Sequence, residues 1–183
     1  MKLFIVVLII VTVKGEYITF NGHCPSLSPP EDLEIDLNGK YYTIAVSLNG
    51  TTRNDIVNQF EVISPDEFHN SLLFRSAHDD DACRNISVTF KVFEMGIYTV
   101  VHQDGRDDSY VGNSLYFLSD NVAFLCRDTS GEEVFRAEIA VLSKEIEEFD
   151  SDQRDDVEEV LTSYGLDFMN QYISPVKQCN PCL

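Results

Sequence analysis

Between residues 39 and 144 the chain alternates apolar and polar positions with a period of two. The runs are rich in β-branched and aromatic residues and are broken by turn residues, a pattern that predicts antiparallel strands. Successive runs cover 41–48, 56–63, 68–77, 86–93, 97–103, 109–117, 121–127 and 134–142, with Glu94-Met95-Gly96, Asp104-Gly105 and Thr129-Ser130-Gly131 as turns. Short, nearly uniform hairpin links suit a sandwich or an up-and-down barrel, and the barrel also removes the exposed sheet edge. The expected fold is therefore all-β, an eight-stranded antiparallel up-and-down barrel with one C-terminal α-helix packed outside.

The helix is read from a change of period to 3.6, with Val157, Val160, Leu161 and Tyr164 on one face. Asp150 with Gln153 forms a capping box, Asp152, Asp155 and Asp156 suit the positive end of the helix dipole, and Gly165 is placed to end it. The acidic remainder of its surface reads as a solvated face. A last extended piece is expected over 171–176, before the two terminal cysteines.

Composition agrees with one globular domain: 183 residues, 44% hydrophobic and 24% charged. A net charge of −18 opposes nucleic acid and anionic membranes as partners, because affinity for phosphate is built from cationic contacts. No Gly-rich phosphate loop, His-x-x-x-His pair or hydrolytic Ser/His/Asp spacing is present. Met1-Lys2 followed by the apolar run 3–11 and by Thr12-Val13-Lys14-Gly15 reads as a secretory signal, too short to span a bilayer. The predicted organisation is a signal peptide over 1–15 and a single barrel domain over 16–183. Its loss removes two lysines and leaves a more acidic, secreted chain, held monomeric or weakly dimeric by self-repulsion and not inserted in a membrane.

Secretion changes the meaning of the five cysteines, which in an oxidising compartment are expected to be bridged, with one left over. Sequence alone does not choose among the pairings. Cys179-Asn180-Pro181-Cys182 has redox or zinc spacing, but no helix follows it and no second pair or His lies near it. Asn49-Gly50-Thr51 and Asn85-Ile86-Ser87 are glycosylation sequons once the chain is secreted. His23, His69, His78 and His102 are scattered, and neither a metal nor a cofactor is expected.

The eight strands, the late helix and Gly39-Lys40-Tyr41-Tyr42-Thr43-Ile44-Ala45 together resemble the lipocalins, over almost the whole chain after the signal. Lipocalins carry Gly-x-Trp at the first strand; here Tyr41 stands in the Trp position, and the chain has no Trp. The resemblance implies that Tyr41 closes the bottom of the cup and finds a partner for its hydroxyl. It places Leu118-Ser119-Asp120-Asn121 at the second lipocalin motif and Lys144 at the third, as the cation over the bottom ring. Among lipocalins the spacing resembles the odorant and pheromone carriers, which implies a Cys83 to Cys179 bridge. A second bridge, Cys24 to Cys126, resembles another branch of the family and leaves Cys182 free.

Such a barrel is just wide enough to hold side chains or one small ligand. Alternation places Val88 with Phe90 on one face, as it does Tyr98, Val100 and His102, and Ala123 with Leu125; Phe74, Tyr110, Tyr116 and Leu142 complete the candidate lining. On the last strand Phe135, Ala137, Ile139 and Val141 alternate with Arg136, Glu138, Ala140 and Leu142. The first set is the simpler choice for a core. If the second faces in, Arg136 and Glu138 form a charged pocket suited to a biogenic amine.

The leading expectation is a secreted carrier of a small hydrophobic ligand such as an odorant, pheromone or fatty acid, performing no chemistry and delivering to a cell-surface receptor. The alternative is an extracellular effector that sequesters a biogenic amine or binds a partner protein. An enzyme working through a cavity thiol would need Cys126 or Cys83 unbridged.

Overall fold

The computed structural model describes residues 18–30, 36–47, 53–76, 82–94, 97–104, 111–179 and 181–182. The predicted signal, Asn49 and Tyr110 lie outside the described residues. Each expected strand is present: β2 (Lys40–Val46), β3 (Arg53–Ser64), β4 (Glu67–Ser76), β5 (Cys83–Glu94), β6 (Ile97–Asp104), β7 (Ser114–Phe117), β8 (Val122–Asp128) and β9 (Val134–Ser143). They form an antiparallel meander that pairing of β9 with β2 closes into an eight-stranded barrel. Two short strands extend the wall, β1 (Ile18–Asn21) on β9 and β10 (Ser174–Pro175) on β2. β1 was not predicted from the pattern, because four residues are too few to establish a period.

Helix α1 (Ser151–Ser163) begins with the expected reciprocal box, Gln153 N–H donating to Asp150 Oδ1 (2.9 Å) and Asp150 N–H donating to Gln153 Oε1 (3.0 Å). It ends where Gly165 adopts φ +69° and the amides of Leu166 and Gly165 donate to the carbonyls of Leu161 and Thr162. Val157 and Leu161 are buried in a core cluster with Phe124, Phe135, Ala137, Ile139 and Val141, so a second hydrophobic core lies outside the barrel, beneath the helix. Burying each such aliphatic side chain contributes about 1.5–3 kcal/mol.

The extended piece expected at 171–176 is corrected. A 3-10 helix occupies Asp167–Tyr172 and β10 is only two residues long. Leu166 and Met169 recur at a spacing of three and are buried in the outer core, which suits 3-10 geometry.

Cys24 bonds Cys126, as the resemblance implied, but Cys83 bonds Cys182 and not Cys179, which is exposed and unbridged. The course of the tail accounts for this correction. β2 and β3 are paired only near one end, Lys40–Tyr42 against Val57–Gln59. Beyond that point the tail fills the seam: Val176 N–H donates to Ile44 O, Asp55 N–H to Lys177 O, and Gln178 Nε2 to the carbonyls of Thr43 and Ile56. The Cys179 amide is held by the carboxylate of Asp55, which pins Cys179 on this seam and leaves Cys182, three residues on, to meet Cys83.

Candidate functional site

The inward faces of β2–β5 and β7–β9 line a cavity of about 70 Å³. That is several times the roughly 10–15 Å³ one water requires. At one end the cup is shut by packed rings. Phe68 stacks on Phe90 at 4.8 Å and meets Tyr98 edge-on at 4.9 Å, while Phe60 contacts Tyr41, Phe68 and Phe117. Tyr41 closes this end as the resemblance implied: its hydroxyl accepts from the Asp36 amide (3.2 Å) and the Lys144 ammonium lies 5.6 Å from its ring centroid. Burial pushes the Tyr98 phenol above its ordinary pKa. The turn between β7 and β8 is built from Leu118-Ser119-Asp120-Asn121, with Ser119 Oγ accepting from the Val122 amide.

Of the predicted lining, Val88, Phe90, Ala123, Leu125, Glu138 and Leu142 face the cavity. Tyr98 and Val100 face inward but belong to the ring cluster that fills the closed end. Phe74 lies beside the cavity, packed with Val46, Ile56 and the tail residue Val176, with the Arg53 guanidinium 4.7 Å from its ring. Two assignments are corrected. Tyr116 is buried on the outer face, tilted against Phe124 beneath the helix, and its neighbours Leu115 and Phe117 point inward. His102 points to solvent, its side chain 64% exposed and paired with Asp104 at 3.1 Å. Val100 pairs with Phe90 and His102 with the adjacent Thr89, so Val101 is an extra residue; this bulge turns His102 out and buries Gln103.

The simpler expectation for β9 is also overturned. Glu138, Ala140 and Leu142 line the cavity, whereas Phe135, Ala137, Ile139 and Val141 pack into the outer core. The more apolar set faces outward because α1 and β1 cover that side of the sheet, which makes the exterior of β9 the drier environment. Arg136 is exposed and does not join Glu138.

Residues missed from the sequence complete the wall. Thr43, Arg53, Asn58 and Asn70 bring polar groups to it, and Val46, Ile56, Phe60, Leu72, Leu115, Phe117 and Ala140 apolar ones. Asn58 Nδ2 donates to Thr43 Oγ1 (2.8 Å), and Asn70 Nδ2 donates to Asn58 Oδ1 (2.9 Å). Their inward parity with Ile56, Phe60 and Leu72 was the available signal; their polarity concealed it. Among the described residues no group of three or more His, Cys, Asp or Glu could hold a metal ion, and no helix is long and apolar enough to cross a membrane.

No family model matches the chain, and no curated protein matches it in sequence. Solved structures match its fold. Insecticyanin from the tobacco hornworm Manduca sexta is 13% identical with a TM-score of 0.66, the match covering 91% of each chain. A siderocalin that functions through dual ligand specificities is 15% identical with a TM-score of 0.53, covering 80% of this chain and 93% of that one. The bovine lipocalin allergen Bos d 2 is 13% identical with a TM-score of 0.50, covering 80% and 96%. The fold of this chain is that of the lipocalins.

Proposed function

We propose that this lipocalin-fold chain is a secreted protein that binds one small, mainly apolar molecule in its barrel cavity and carries or sequesters it without altering it. The observation that carries the reading is the cavity itself: an unfilled space whose wall is mostly Val, Leu, Ile, Phe and Ala above a plug of aromatic rings. Desolvation of an apolar ligand there contributes about 25 cal/mol per Å² buried, while a few convergent polar groups set its orientation. The siderocalin with dual ligand specificities shows that a barrel of this architecture serves ligand binding. A thiol-dependent reaction lacks its nucleophile, because Cys126 and Cys83 are both bridged and Cys179 lies exposed on the tail. The leader-like run 1–15, the two bridges and the sequon at exposed Asn85 support secretion.

The sequestration of a biogenic amine draws on one observation, the placement of Glu138 in the cavity wall. Arg53 lines the same cavity, so the anionic group is accompanied by a cation and the apolar-carrier reading is preferred. Native mass spectrometry of the protein secreted by expressing cells, followed by displacement of a fluorescent apolar probe, tests the choice. Displacement by odorant-like alcohols is expected. Selective displacement by amines would transfer the function to sequestration, and absence of any bound mass or probe binding would overturn ligand carriage.

A further inference from the structure

The inward positions of β3 and β4 read Ile56, Asn58, Phe60 and Phe68, Asn70, Leu72. Two asparagines thus interrupt apolar rows, and they are 6% and 8% exposed. Burying an amide is unfavourable unless its groups are bonded, and a Val or Leu at either place would line the wall without that penalty. The two amides are linked into a chain over three neighbouring strands, Asn70 donating to Asn58 and Asn58 donating to Thr43. The chain is directional, since each amide gives an N–H to the member before it. Its free end is therefore a carbonyl oxygen, Asn70 Oδ1, buried in the cavity wall and accepting no hydrogen bond among the described residues. The N–H that Asn70 donates polarises its amide and strengthens that oxygen as an acceptor.

We propose that Asn70, polarised through Asn58 and Thr43, makes the cavity selective for a neutral small molecule that donates a hydrogen bond, such as an alcohol, phenol or oxime. The proposal rests on ligand binding in this cavity and names the ligand class. Neutrality follows from the acceptor: the Asn70 carbonyl carries no formal charge, so an ion bound at it would surrender its hydration without meeting a counter-charge there. The ligand's apolar body lies against Val88, Leu125 and Leu142, and its donor reaches Asn70.

The test compares a cyclic alcohol, its methyl ether and the corresponding primary amine, each displacing one fluorescent apolar probe from the full-length secreted protein, wild type and Asn70→Leu. A hydrogen bond to an otherwise unmet buried acceptor is expected to make the alcohol bind about tenfold tighter than the ether. In Asn70→Leu that ratio should fall while the ether binds at least as well, which also shows that the variant is folded, and in Asn58→Leu/Asn70→Leu, which also removes the Asn58 oxygen that loses its donor, it should fall to about one. Equal binding of alcohol and ether by the wild type, or a ratio that survives both substitutions, would overturn the acceptor role. An amine that outcompetes the alcohol at neutral pH would overturn the neutral class. Binding of the probe with displacement by none of the three would overturn the ligand class alone, whereas failure of the probe itself to bind would overturn the carrier reading beneath it.

Discussion

At the scale of single residues, Tyr41 holds the closed end of the cup, its hydroxyl accepting from the Asp36 amide and its ring 5.6 Å from the Lys144 ammonium. Tyr41 and Lys144 were placed by the resemblance to the lipocalins, and the pair Asp150 and Gln153 by a capping box set by neighbours in sequence. His102 depended on one bulge, and Glu138 on which side of β9 the helix would cover, neither of which is written in the strand itself. Tyr41 provides the sharpest test of this end. Removing only its hydroxyl in Tyr41→Phe deletes the bond from the Asp36 amide and should cost about 0.5–1.5 kcal/mol, whereas Tyr41→Ala should cost about 3–5 kcal/mol by leaving the plug hollow, both read by urea unfolding. Tyr98 gives the pH dependence. Its folded pKa is raised by burial, so its contribution is complete below the unfolded value of about 10 and is lost as pH rises through the folded value. The stability of wild type relative to Tyr98→Phe should therefore fall above about pH 10, and a relative stability that rises there would contradict the burial assigned to this ring.

At the scale of elements, periodicity identified all eight barrel strands and the helix, while the short pieces that join tertiary surroundings were missed or, for β10 within the extended piece expected over 171–176, given too long a range. β1, β10 and the 3-10 turn are held by partners distant in sequence, and the tail follows its course because β2 and β3 leave a seam for it. The bridge pairing shows the same limit: Cys179 and Cys182 are equivalent in spacing, and only the grip of Asp55 and Gln178 on the tail distinguishes them. Cys182→Ser opens a link between residues 99 positions apart and should cost about 2–5 kcal/mol in urea unfolding. In that variant the amides of Asp55 and Val176, which bond across the seam, should lose hydrogen-exchange protection before those of β8, and unchanged protection would refute the role of the tail as wall. Gly165→Ala meets no steric neighbour but must hold φ +69°, so a loss of about 1 kcal/mol is expected from conformation alone.

At the scale of the whole molecule, the described residues form a core that fills the closed end of the barrel, a core between barrel and helix, and a small cluster of Val46, Ile56, Phe74 and Val176 beside the cavity, which is left above the first. The barrel followed from strand count, whereas the proposed carrier function came with the resemblance to the lipocalins. Which molecule the cup accepts followed from neither, since the polar groups in its wall come from four strands, β2, β3, β4 and β9, brought together only by the register of the sheet. Ala140 lines the cavity as one of its smallest side chains, so a larger ring placed there occupies ligand space. The decisive measurement is binding of a fluorescent apolar probe to wild type and to Ala140→Phe, with thermal unfolding of both. If the cavity is the site, the wild type binds one probe per chain and Ala140→Phe loses at least tenfold in affinity while its unfolding midpoint stays within a few degrees. Equal probe affinity in the two folded proteins would contradict it, and would move the binding function to the outer surface of the barrel.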